Sequence, residues 1–67
     1  MIANINGTSI YLDRINYPEK ITIKEFEILR IHFYDGTHQD IYYGQDQEKR
    51  DANYEQVLKH FIYWEYN

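Results

Sequence analysis

The stretch ITIKEFEILRIHFYDGTHQDIYY, Ile21 to Tyr43, decides the fold of this chain. β-Branched and aromatic residues dominate it, as in strands that pack on a half-buried pleated surface, and Asp35-Gly36 interrupts it as a hairpin turn. Charge sets the register of that hairpin. A two-residue loop sets Ile41 against Arg30 and Asp40 against Ile31, mixing charged and apolar residues on both faces. A three-residue loop closed by Gly36 as a G1 bulge instead pairs Phe33 with Thr37, Arg30 with Asp40 and Leu29 with Ile41. This second register places Leu29, Ile31, Phe33, Ile41 and Tyr43 on a core face and Arg30, His32, His38 and Asp40 on a polar one. Upstream, Ile21 and Ile23 share odd parity while Phe26 and Ile28 take even parity. The shift implies a bulge, a break between two strands, or a segment covered on both faces.

Toward the N-terminus, Asn6-Gly7 is a strong two-residue turn signal, and Ile2, Ile5, Ile10 and Leu12 flank it, so Met1 to Leu12 reads as a hairpin. Asp13 to Lys20 reads as a connection, because Pro18 fixes its own φ and holds Tyr17 out of the helical region. Toward the C-terminus, Tyr54, Val57, Leu58, Phe61 and Trp64 fall at i, i+3, i+4, i+7 and i+10, one face of an α-helix. Asn53 with Gln56 three residues later resembles a capping box, which predicts a helix over Tyr54 to Tyr66. Gln47-Glu48-Lys49-Arg50 is equally acceptable as a first polar turn, so an earlier start within Asp46 to Ala52 stays open. The expected architecture is α+β: a small antiparallel sheet of two hairpins, about four strands, packed against one C-terminal helix, with residues 1–67 as a single domain.

A chain of 67 residues buries only about 60% of the surface that its unfolded form exposes. It contains no cysteine, so disulfides and thiolate zinc sites do not reinforce its thin core. Aromatic residues are 18% of the chain and eight are tyrosines; each buried ring removes about 150–250 Å² from water but brings a phenol that needs a hydrogen-bond partner. Some tyrosines are therefore expected at the surface. Eleven acids against seven scattered bases give a net charge of −4, which disfavours direct binding to a phosphate backbone. No run approaches the roughly 18 apolar residues of a membrane span, and the N-terminus has no signal-like pattern, so a cytoplasmic protein is expected.

Motifs for chemistry are sparse. The only serine is Ser9, without a nucleophile-elbow sequence, and no cysteine is present, which argues against covalent catalysis. His32, His38 and Asp40 share a sheet face and form the one metal-like combination, against which stands ordinary cross-strand polar pairing. Glu25 and Glu27, two residues apart, are candidates for acid–base work, but edge polarity is the commoner use of such residues. Tyr34 and Tyr42-Tyr43 resemble a base-stacking platform, which the charge balance opposes. No catalytic residue, cofactor or bound metal is expected.

The aromatic run Phe61-Ile62-Tyr63-Trp64-Glu65-Tyr66 spreads round the helix beyond one stripe. Tyrosine and tryptophan are favoured interface anchors, and acids among them steer a basic partner. Tyr34, Tyr42, Tyr63, Trp64, Glu65 and Tyr66 are thus the expected partner-binding residues. The run Ile5-Asn6-Gly7-Thr8-Ser9-Ile10-Tyr11-Leu12, then Asp35-Gly36 and a terminal helix, resembles small strand-rich bacterial proteins of a flagellar-operon type in turns and strand order alone. The stretch Tyr17 to Phe33 is longer than in that pattern, so the resemblance assigns neither a family nor a functional residue. The expected function is a non-catalytic protein-binding module, a small acidic inhibitor or regulator of the kind phages and mobile elements encode, acting on a nucleic-acid-processing enzyme. A homodimer is compatible with this. The alternatives are an aromatic-sheet nucleic-acid binder and a metal-dependent activity at His32, His38 and Asp40.

Overall fold

Asn6 and Gly7 both adopt positive φ, 50° and 85°, the backbone of a type I′ turn, which matches the right-handed twist of the strands it joins. Strand β1 (Ile2–Ile5) and strand β2 (Thr8–Tyr11) therefore pair with Ile5 opposite Thr8, as the Asn-Gly signal predicts. The computed structural model describes the backbone of residues 1–66 and the side chains of residues 1–60. After a short 3-10 turn at Leu12–Arg14, strands β3 (Ile15–Ile23), β4 (Phe26–Phe33) and β5 (His38–Tyr42) form a second antiparallel sheet in the order β3-β4-β5. Helix α1 (Gln47–Tyr66) follows. The fold is α+β, two small antiparallel sheets packed against one C-terminal helix.

Among the described residues five strands stand where about four were expected, and the segment read as a connection is the difference. Asn16 is bulged out between the pairs Ile15–Phe33 and Tyr17–His32, and beyond it Pro18 pairs with Ile31 in regular register. Proline is tolerated there because β3 is an edge strand, where a missing N–H breaks no ladder bond if it faces outward. The parity shift between Ile23 and Phe26 is a break between strands. Ile23 lies opposite Phe26, so the turn consists of Lys24 and Glu25, with Lys24 at φ 58°.

The β4–β5 hairpin has the three-residue loop. Leu29 faces Ile41 and Arg30 faces Asp40, Phe33 N donates to Thr37 O at 2.9 Å, and Gly36 takes φ 89°. Its inner face, together with the first hairpin and α1, encloses Ile5, Ile10, Ile15, Leu29, Ile31, Ile41, Tyr43 and Val57, with Leu12, Phe33 and Tyr54 packed at the margin.

The helix begins earlier than a cap at Asn53 would place it. Asp46 Oδ1 accepts from Lys49 N at 3.0 Å, the bond an N-cap carboxylate makes to the N3 amide. Asn53 lies inside the helix and accepts from the Tyr43 hydroxyl at 2.8 Å, tying helix to sheet. A second tie is ionic. Arg50, 4% exposed, meets Glu27, 7% exposed, at 3.0 Å; its Nη1 donates to Ile21 O at 2.9 Å, and Thr22 donates to Glu27 at 2.9 Å.

Candidate protein-binding face

Directly opposed residues of an antiparallel ladder share a face, so the outer side of the β3-β4-β5 sheet is a set of rows. Ile23 and Phe26 make the row at the β3–β4 turn; next come Ile21, Ile28 and Tyr42, then Glu19, Arg30 and Asp40, then Tyr17, His32 and His38. The first two rows are apolar. Ile28 is buried among its neighbours although it points away from the core, while Ile23, Phe26 and Tyr42 are 51%, 55% and 66% exposed. They line a shallow depression with Lys24 and Arg30 at its edge.

In the third row Arg30 and Asp40 satisfy each other's charge, while Glu19 meets His32 of the fourth row. Arg30 donates through Nε and Nη2 to the two oxygens of Asp40, at 2.7 and 2.9 Å, the bidentate geometry that a planar guanidinium favours. These hydrogen bonds, more than the charge attraction itself, hold the Asp40 carboxyl below the usual carboxylate range and the Arg30 guanidinium above its ordinary value. In the fourth row His32 Nε2 is 2.7 Å from Glu19 Oε1. The Tyr17 ring stacks on His32 with centroids 4.3 Å apart, and His38 stands 6.0 Å from His32, tilted by 53°.

The residues expected to act together are distributed as follows. His32, His38 and Asp40 do share a face, but both Asp40 oxygens are engaged by Arg30, and among the described residues no group of three His, Cys, Asp or Glu is arranged to hold a metal ion. Glu25 and Glu27 do not face one site: Glu25 sits in the β3–β4 turn and accepts from Gln45 at 3.1 Å, whereas Glu27 is buried against Arg50. Tyr42 and Tyr43 point to opposite faces, Tyr43 into the core. Burial pushes the Tyr43 phenol up to about 12.

Tyr34, 71% exposed, stands in the β4–β5 loop, away from Tyr42. It borders a separate groove of about 480 Å³ lined also by Tyr11, Arg14 and Phe33, in which the Arg14 guanidinium lies 4.8 Å from the Tyr11 ring centroid. The side chains of Tyr63, Trp64, Glu65 and Tyr66 lie outside the described residues. Phe26 and Ile23 are members of the exposed face that sequence reasoning missed as site residues. The parity shift was their signal, since a break between strands turns both toward the side opposite the core.

No family model, no curated protein and no solved structure matches this chain, so the likeness of its turn order to flagellar-operon proteins brings no family with it.

Proposed function

We propose that this protein is a non-catalytic protein-binding module that works through the outer face of its three-stranded sheet. The observation that carries the reading is the exposure of Ile23, Phe26 and Tyr42 in adjacent rows over a buried Ile28. Contiguous exposed apolar surface of this kind marks interaction sites, and aromatic residues are typical anchors. Scattered single hydrophobes would carry no such meaning.

The remainder of the molecule holds the acidic excess, which favours encounter with basic surfaces. A regulator of a nucleic-acid-processing enzyme, with carboxylates taking the place of phosphates, fits this charge. The nucleic-acid alternative is weaker, because Arg30, the basic residue beside Tyr42, is committed to Asp40 and phosphate binding depends on available cations.

Immobilised protein, compared with the Phe26→Ser/Tyr42→Ser variant at near-physiological salt, tests the proposal. The parent chain should retain a stoichiometric protein, whether another chain or a copy of itself, and the variant should lose it. Retention of nothing by the parent, or equal retention by both, refutes the role of this face.

A further inference from the structure

We infer that the apolar end of the outer sheet face is covered by a second copy of this chain, in a two-fold, face-to-face dimer. The inference rests on the protein-binding reading above and names its first partner.

The argument is one of charge. The outer face carries two acids, Glu19 and Asp40, and two bases, Lys24 and Arg30. Of eleven acids and seven bases in the chain, eight acids and five bases with described side chains are left for the rest, so a net charge of −3 lies off this face. Two copies that approach through the remainder of the molecule meet, averaged over that surface, like charge, which opposes association. Through this face they meet neutral surface. A strongly basic partner or a phosphate backbone finds no matching field there, whereas an identical face matches in charge without adjustment.

The row order makes the match geometric as well. Both apolar rows lie at the β3–β4 end, and the ionic row lies beyond them. A two-fold axis lying between the stacked sheets, parallel to them and crossing the strands between the two apolar rows, sets Phe26 and Ile23 of one copy over Ile28 and Ile21 of the other, with the second copy's Tyr42 beside Phe26. Such an interface is isologous, and twisted sheets stack in this aligned manner about 10 Å apart. Glu19, Arg30 and Asp40 fall toward the rim, where they keep water and their own ion pairs, so closing the interface does not strand a buried charge. A chain whose core is limited by its length gains most from burying exposed aromatics in this way.

Sedimentation equilibrium of the full chain between about 1 µM and about 1 mM reads the outcome, since dimers of useful affinity dissociate within that window. A mass of twice 8.3 kDa at high concentration is expected. Phe26→Asp and Tyr42→Asp should each raise the dissociation constant about 30-fold or more, as loss of a central aromatic anchor does. Tyr34→Ser, a change equally exposed but off the face, should leave it unchanged. Screening the acidic remainder with added salt should tighten the dimer modestly. Far-UV circular dichroism of each variant separates lost association from lost folding, and Ile23→Lys supplies a second charge on the same face if either aspartate variant fails to fold.

A parent chain that stays monomeric at the highest concentration overturns the inference, as does a dimer insensitive to all three face substitutions, which would signify edge pairing instead. If the parent is monomeric yet captures a different protein through Phe26 and Tyr42, self-association falls and the protein-binding reading stands.

Discussion

At the residue scale, the pair Arg50–Glu27 holds the helix to the sheet, and both partners are almost fully enclosed. Removing one partner leaves the other charged and dry, an effect of about 3–5 kcal/mol in other buried pairs, while replacing both with apolar residues is often neutral. Arg50→Ala should therefore lower unfolding free energy by about 3 kcal/mol in urea titrations, and Arg50→Met/Glu27→Leu should recover most of it. An Arg50→Ala protein as stable as its parent would contradict the bridge. Tyr43 gives a second prediction. Its folded phenol sits above the unfolded one, so its protonated form contributes stability that is full below pH about 10 and lost as pH rises through about 12. Tyr43→Phe should abolish that alkaline loss, and it should cost about 1 kcal/mol at neutral pH through the missing bond to Asn53. Neither contact was legible in the sequence. Glu27 reads as an exposed strand acid and Arg50 as part of a solvated first turn, because what buries them is a partner more than twenty positions away.

At the element scale, the two hairpins closed by Asn6-Gly7 and Gly36 were legible down to their register, because glycine or asparagine at positive φ is a local requirement. The β3–β4 hairpin was not, since Lys24-Glu25 is no turn signal and Pro18 argues against a strand. Parity alone betrayed it. A lysine held at positive φ stores local strain of about 1 kcal/mol that glycine does not. Lys24→Gly should therefore leave stability unchanged or raise it by up to about 1 kcal/mol, read as thermal midpoint; a marked fall would show that Lys24 contributes through its side chain. The helix start failed for a related reason. Asp46 and Asn53 are both good caps, and only the observed bond to Lys49 N chooses between them. Asp46→Ala should cost about 1 kcal/mol, whereas Asn53→Ala should act through Tyr43 instead.

At the scale of the whole molecule, α+β architecture followed from hydrophobic period and turn signals together, while the candidate site followed from them only in part. Tyr42 could be set on a sheet face by counting alternation, but Phe26 and Ile23 join it there only after the hidden turn is placed. Acid stability is also a property of the whole. The Thr37 hydroxyl and amide lower the Asp35 carboxyl, and Arg30 lowers that of Asp40. Depressed folded values mean that these carboxylates contribute stability above their unfolded range, lost as pH falls through the folded values. Thermal midpoints should accordingly hold constant down to pH about 4 and decline below it, with the decline reduced in Asp40→Asn; an unchanged profile in that variant would remove Asp40 from the account.

The proline in β3 has one more consequence. Counting outward from the tight turn at Lys24-Glu25, hydrogen-bonded and open pairs alternate, which leaves Pro18 opposite Ile31 with its nitrogen turned away from β4. A foreign strand laid along this border meets a gap in the middle of its donor row, beside the kink at Asn16. Lateral recruitment is the step by which sheets extend without limit into fibrils. Growth from this border is therefore opposed by covalent structure, so a chain with an exposed apolar face is guarded against open-ended extension along β3.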